Sequence, residues 1–148
     1  MLVKLRDAGN TISMYEGARA HEARFKQYGD RLDDVAQMVR DGLKIGDSPY
    51  RSAKDYVAEC RQTVADLYKQ TPIILVPSAP GPAPGGLSTT GDSRLNYPWT
   101  ALGTPATSIP MPATNGLPLG LQLTANPGDD ARVLRTAVAI EAIVGRVG

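Results

Sequence analysis

The sequence predicts an α/β chain, α+β when taken as an isolated piece, with helices packed around few strands. Three observations predict it. Apolar residues between Met14 and Tyr68 recur at spacings of three and four, short uncharged apolar runs follow Thr71, and a last helical stripe follows Gly128. Composition divides the chain in the same way. Residues 1–70 hold 23 of the 31 charged side chains and one of the 12 prolines, Pro49, whereas residues 71–128 hold the other prolines and only Asp92 and Arg94 as charges. A segment so poor in charge, and too rich in proline and glycine for long helices, expects to be covered by other protein.

In the first part, Met14, Ala18, His21, Phe25, Tyr28, Leu32, Val35 and Val39 share one helical stripe, with Gly29 as a candidate break. Asp41 and Gly42 mark the exit, followed by a turn through Gly46, Asp47 and Ser48. A second helix is expected from Ser52 as N-cap, with Asp55 completing a capping box and Tyr56, Val57, Cys60, Val64, Leu67 and Tyr68 as its apolar stripe.

Beyond Gln70 the period changes. Ile73 to Val76, closed by Pro77, reads as a strand buried on both faces. Residues 77–86 are too rich in Pro and Gly for regular structure. Ala106–Ile109 and Leu117–Thr124 read as strands joined by a hairpin turn at Asn115-Gly116, and Pro110, Pro112 and Pro118 remove ladder donors there. Gly128-Asp129-Asp130 opens the last helix, whose face is Val133, Leu134, Ala137, Val138 and Glu141 and whose C-cap is Gly145. The expected organisation is one partial domain over 1–148: a helical part at 12–70, a Pro/Gly-rich strand and loop part at 71–128, and a C-terminal helix at 129–145. Three strands make a thin sheet for a doubly buried strand, which points to an incomplete domain.

The net charge of +1 argues against a surface that seeks nucleic acid or membrane, and no apolar run is long enough to span a bilayer. A single cysteine, Cys60, rules out an internal disulfide and a thiolate metal cluster, so a reduced cytoplasmic setting is expected. His21, the sole histidine, and Cys60 both lie on apolar helical stripes and read as structural. Asp129-Asp130 could hold a metal, but carboxylates at a helix start more simply cap its amides. Gly81 to Gly86 lacks the Gly-Lys-Ser/Thr of a phosphate loop. The P-x-x-P register in Pro77 to Pro84 could serve as a polyproline ligand. No spacing assembles a nucleophile, a base and oxyanion donors.

The strings Thr71-Pro-Ile-Ile-Leu-Val-Pro-Ser-Ala-Pro-Gly-Pro-Ala-Pro84, Thr90-Gly-Asp92, Asn96-Tyr-Pro-Trp-Thr-Ala-Leu-Gly-Thr-Pro-Ala106, Ile109-Pro110 and Gly116-Leu-Pro-Leu-Gly-Leu-Gln-Leu123 follow one another in a distinctive order. Together with Tyr15-Glu-Gly-Ala-Arg, Tyr56-Val-Ala-Glu-Cys-Arg and Ala137 to Glu141, they resemble the C-terminal part of the amidase signature family. The resemblance implies the C-terminal part of a mixed-sheet amidase fold acting on carbon–nitrogen amide bonds. In that family a serine nucleophile, a second serine in a cis peptide and a lysine relay the proton, and backbone amides hold the oxyanion. A neutral lysine in a dry site can act as base at neutral pH. No metal or organic cofactor is implied.

The family's Gly-Gly-Ser-Ser-Gly stretch is not in this sequence. Gly85-Gly86 is followed by Leu87, and none of Lys4, Lys26, Lys44, Lys54 or Lys69 lies in a matching motif, so no catalytic residue is assigned. The implied substrate is a small-molecule amide, bound once the catalytic portion is supplied, with self-association or a partner chain expected. By position, Tyr97 to Gly103 resembles the family's stretch that approaches the active-site cleft, which makes Trp99 and Thr100 the candidate substrate-binding residues, Trp99 alternatively a core anchor. The alternative function is a non-catalytic interaction module that docks on a partner chain through residues 71–128.

Overall fold

The chain order is α1 (Leu2–Tyr28), α2 (Asp34–Gly42), α3 (Asp47–Gln70), β1 (Ile74–Pro77), α4 (Tyr97–Leu102), β2 (Ala106–Met111), β3 (Leu119–Thr124) and α5 (Asp130–Val144). Short 3-10 turns at Gly29–Leu32 and Ser93–Leu95 complete it. The structure, a computed structural model, describes residues 1–86, 88–112, 117 and 119–145. Its contacts define two units, Met1–Cys60 and Arg61–Gly148, with the boundary inside α3.

In the first unit the expected break falls at Gly29, whose φ of 55° and ψ of −133° lie where residues with a side chain are strained. One long stripe thus becomes two helices, α1 and α2. Helix α1 starts at Leu2, well before Met14; Leu5 and Gly9 are buried in this early part, a narrow stripe of two positions. The crossing of α1 and α2 is set by Gly42: a Cβ there would lie 2.1 Å from the Met14 carbonyl oxygen and 2.5 Å from the Ala18 Cβ. Only a bare backbone permits that approach.

Helix α3 begins at Asp47, five residues before the expected cap. Ser52 and Asp55 therefore lie inside the helix and form no capping box. Pro49 sits in the first turn, where its missing N–H costs nothing, and Asp47 complements the positive end of the helix. A clasp joins this turn to α1. The Tyr15 and Tyr50 rings stack at 4.0 Å and 9°, Tyr15 donates to Asp47 at 2.6 Å, and Tyr50 donates to Glu16 at 2.6 Å. The Arg19 guanidinium lies 3.2 Å from the Tyr15 ring centroid and donates to the carbonyls of Gly42 and Ile45 at 3.4 and 3.3 Å. Val57 and Cys60 of the expected stripe are buried.

In the second unit β3 is the central strand of an antiparallel sheet of order β1-β3-β2. The first strand therefore differs from expectation. It runs from Ile74 to Pro77 on a sheet edge, with alternate residues exposed and Leu75 44% exposed. A short apolar run reads the same whether its strand is central or at an edge. The second and third strands pair as expected, from Ala106↔Thr124 to Met111↔Leu119, although β3 begins at Leu119 and the Asn115-Gly116 turn lies outside the described residues.

Helix α5 covers one face of this sheet. Ile109 and Leu123 pack with Ala125, Val133 and Ala137, flanked by Ile73, Leu121 and Ile140. Each fully buried aliphatic chain here contributes about 1.5–3 kcal/mol of transfer free energy. The buried stripe of α5 is Val133, Ala137 and Ile140; Leu134 and Val138, expected on it, are 58% and 67% exposed, as is Leu67 of α3 at 46%. Asp129 is the N-cap residue, yet its side chain makes no capping bond and reaches Arg132 at 3.6 Å instead. Gly145 is the C-cap, as expected.

Candidate functional site

The opposite face of the sheet carries serine, threonine and glutamine side chains among apolar ones. Register places Ile74, Val76 and Ser78 of the first strand's side on this face, with Gly120, Gln122 and Thr124 of β3 and Ala106, Ser108 and Pro110 of β2. Two arrangements organise it.

The first anchors α4 and the start of β2. Arg61 donates through Nε to the Leu102 carbonyl at 2.9 Å and through a terminal nitrogen to the Ala101 carbonyl at 3.1 Å. These are carbonyls at the C-terminal end of a short helix, where a cation also meets the negative end of the peptide dipoles. Gly103, at φ 72°, turns the chain out of α4 in the left-handed conformation that glycine accepts. Thr104 then donates from its backbone and its hydroxyl to the Trp99 carbonyl at 3.2 and 3.3 Å. The Tyr68 hydroxyl meets the Thr124 hydroxyl at 3.0 Å, and Thr124 donates to Thr104 at 3.0 Å. Burial pushes the Tyr68 phenol above its ordinary pKa, partly offset by these hydroxyls.

The second arrangement lies where β1 passes into the proline-rich loop. Ser78 continues the ladder, its N–H bonding the Gly120 carbonyl at 2.8 Å. Its hydroxyl meets that of Ser108 at 2.5 Å, across the central strand. Gly120 makes this possible: a Cβ there would lie 2.6 Å from the Ser78 Oγ and 2.7 Å from the Ser108 Oγ. Beside the pair, in register with Ser108, Gln122 is buried, and its Nε2 has no hydrogen-bond partner among the described residues.

Above the serine pair opens a cleft of about 790 Å³. Residues 78–84 and 90–93 form its loop walls, and Ser108, Ile109, Pro110, Leu119 and Gly120 form the strand side. Its polar side chains are Ser78, Thr90, Asp92, Ser93, Asn96 and Ser108. Asp92 is engaged: it accepts from the Arg94 backbone at 2.9 Å and from Arg94 Nε at 2.6 Å. No lysine, arginine or histidine lines the cleft among the described residues. It is a concave, mostly apolar surface with a few convergent polar groups, the form of a small-molecule site. It offers hydrogen bonds, and its one carboxylate among the described lining residues is held by Arg94.

Of the candidate substrate-binding residues, Trp99 is buried at 8% exposure and Thr100 is exposed. They are neighbours on α4, and neither lines the cleft, whereas Asn96, the residue preceding the helix, does. The Ser78–Ser108 pair escapes sequence reasoning because it depends on the register of three strands. One signal pointed to it: a glycine inside an apolar strand marks a close approach of other atoms, and Gly120 stands inside Leu119–Leu123. His21 is half-buried in α1 with Nδ1 lacking a partner among the described residues, and Cys60 is buried as a free thiol. Among the described residues no three His, Cys, Asp or Glu gather as a metal site, and no helix is long and apolar enough to cross a membrane.

Comparison with known proteins places these features. The sequence pattern of the amidase family matches residues 18–134, a span that includes every residue lining the cleft. The chain is 29% identical over 144 residues to a glutamyl-tRNA(Gln) amidotransferase subunit of Halalkalibacterium halodurans, covering 91% of this chain and 29% of that protein. It is 33% identical over 108 residues to the subunit of the same name from Tropheryma whipplei, covering 68% of this chain and 21% of that protein. A solved structure described as a crystal structure of amidase superposes with a TM-score of 0.88 at 26% identity, over 97% of this chain and 36% of the other. The chain spans less than a third of the length of the curated relatives it matches. With the family pattern running from α1 into α5 and the cleft contained in it, the chain belongs to the amidase family, the amidase-signature enzymes.

Proposed function

We propose that this chain is the C-terminal portion of a hydrolase acting on carbon–nitrogen amide bonds, and that its cleft is one wall of the site that holds a small amide. The observation that carries the proposal is that the amidase match over residues 18–134 encloses the whole cleft. The chemistry of this wall limits what it does. Its hydroxyls and the Asn96 amide can orient an amide, but its one lining carboxylate, Asp92, is held by Arg94, and no lysine or histidine stands among its described lining residues. The sequence has no Ser-Ser dipeptide. The nucleophile, the relay serine and the lysine therefore come from other polypeptide, whether an earlier part of the same chain or a separate partner, and residues 1–148 alone turn nothing over. In this reading α4 stands at the border with that catalytic portion. Trp99 fixes the helix from within, and the exposed Thr100 faces the incoming surface. The setting is cytoplasmic, and neither metal nor organic cofactor takes part.

A non-catalytic docking module is the second reading. Leu75, Leu117 and Leu119, 44%, 46% and 38% exposed, support it as a surface for another chain.

The deciding experiment offers a panel of aliphatic and aromatic amides to the purified 148-residue protein, with a serine-reactive probe alongside. The same panel is then offered to the protein mixed with a polypeptide carrying the Gly-Gly-Ser-Ser-Gly portion of an amidase. Turnover and labelling only in the mixture are expected. Turnover by the 148 residues alone would overturn the division of labour, and a mixture that binds but never turns over would favour the docking module.

A further inference from the structure

We infer that the outward stripe of α5 is a docking surface for an amphipathic helix of the polypeptide that supplies the catalytic portion. The inference rests on the division of labour proposed above and adds to it the place where that polypeptide sits. Helix α5 is apolar on two sides. Val133, Ala137 and Ile140 pack on the sheet, while Ala131, Leu134, Val138 and Ala142, at spacings of three, four and four, form a second stripe that is exposed along its length. Leu134 and Val138, its two large side chains, are each more than half exposed. A helix apolar on one side belongs at a surface; one apolar on both sides belongs between two layers. The outward face of α3 shows the contrast. It carries Lys54, Gln62, Asp66 and Lys69, all exposed, and Asp66 accepts from Lys69 at 2.7 Å.

The occupant follows from shape, charge and area. A row of side chains at helical spacing is a ridge that the groove of another helix receives at an axial separation of about 8–10 Å, and alanine at both ends of the row lets that helix come close. The rims are charged with opposite signs. Arg135 flanks the stripe on one side and Glu141 on the other, both exposed and neither in an ion pair among the described residues. The incoming helix therefore presents apolar residues at the same spacing, an acidic side chain against Arg135 and a basic one against Glu141. A second copy of the chain is a poor occupant, because contact through this stripe alone buries two large side chains per copy, well short of the roughly 1,200 Å² of a stable interface. The catalytic portion has the surface required. This chain spans less than a third of the length of its curated relatives, so most of the family's fold lies outside it.

The test combines the 148-residue protein with the polypeptide carrying the Gly-Gly-Ser-Ser-Gly portion of an amidase. Association is measured by sedimentation, and the methyl resonances of Leu134 and Val138 are followed by nuclear magnetic resonance. A one-to-one complex that shifts both sets of methyl groups with saturation is expected. Leu134→Gln combined with Val138→Gln should weaken the complex at least about ten-fold and leave the thermal midpoint of the protein alone unchanged, since both side chains face solvent there. Arg135→Glu should weaken it about five-fold, an effect that high salt largely removes. A complex with both sets of methyl resonances unmoved, unchanged affinity in the double variant, or no complex at all would each overturn the inference. So would a dimer of the protein alone that the double variant disperses, which would assign the stripe to a second copy. The methyl shifts of the unsubstituted protein decide the matter even if the double variant fails to fold. The catalytic reading is separable. Turnover in a mixture whose affinity ignores the double variant defeats the stripe and leaves the hydrolase standing, while a complex seated on the stripe without turnover does the reverse.

Discussion

Arg61 Nε donates to the Leu102 carbonyl at 2.9 Å, so a residue of α3 terminates α4 from outside it. The same guanidinium takes the Ala101 carbonyl at 3.1 Å, and its planar fork serves two acceptors that a single ammonium would serve less well. Hydrogen bonds from charged donors are worth about 1.5–3 kcal/mol each when one partner is left unpaired. Arg61→Ala is therefore expected to lower unfolding stability by about 2 kcal/mol, and Arg61→Lys to recover less than half of that. Denaturant titration of the three proteins measures it; a loss below about 0.5 kcal/mol in Arg61→Ala would mean that α4 is held by its buried Pro98, Trp99 and Leu102 alone.

Gly120→Ala should cost more than its single methyl group suggests. The added Cβ would meet two hydroxyl oxygens at 2.6 and 2.7 Å and the Ser78 Cβ at 2.9 Å, so flanking strands must move or the serine pair must open. Overpacking of this kind costs about 1–3 kcal/mol. Because two of the three close atoms are hydroxyl oxygens, combining Gly120→Ala with Ser108→Ala should cost less than the sum of the two single changes. A double-mutant cycle by thermal unfolding checks this, and strict additivity would show that the strain is borne elsewhere.

Gly29 gives two rules opposite signs. By helix propensity, alanine at a position between two helical segments would add about 1 kcal/mol of stability. By conformation, a residue with a Cβ at φ 55° and ψ −133° is strained by about 1–3 kcal/mol. The second effect is the larger, and Gly29→Ala is expected to destabilise the protein by about 1 kcal/mol and to lower its melting temperature. An increase in melting temperature would mean that α1 and α2 fuse into one helix.

The parts of the fold that were legible in the sequence are those set by single residues or by short-range period. Gly29 marked the break between α1 and α2, the Ala106–Ile109 and Leu117–Thr124 runs marked the β2/β3 pair, and Gly128 to Gly145 marked α5. Local signals misled where a better one stood nearby. Ser52 and Asp55 fit a capping pattern, but Asp47 and Pro49 open the helix a turn and more earlier. Edge or centre was not legible for β1, because Ile-Ile-Leu-Val says nothing about how many neighbours the strand finds. The cleft was not legible, because its loop wall read only as a stretch too rich in proline and glycine for regular structure. Its serine floor arises from residues thirty positions apart, joined by a register that includes a third strand.

Tyr15 and Tyr50 make stability fall on the alkaline side. Each phenol donates to a carboxylate, Asp47 and Glu16 respectively, and that bond exists only while the phenol keeps its proton. The hydrogen bond to Asp47 is the main cause that raises the Tyr15 pKa above its ordinary value near 10, with Arg19 pulling the other way. The bond to Glu16 does the same for Tyr50, opposed by Lys54. A group whose pKa is raised on folding binds its proton more tightly in the folded state, so its contribution is complete below the unfolded value and is lost as pH rises through the folded one. Melting temperature should thus hold steady from neutral pH to about pH 9.5 and fall beyond about pH 10. Tyr15→Phe and Tyr50→Phe keep the rings but not the bonds; each should lower the neutral-pH melting temperature and flatten the alkaline decline. Unfolding followed by circular dichroism from pH 7 to 11.5 checks both, and an alkaline slope unchanged in the double variant would assign the decline to groups outside the clasp.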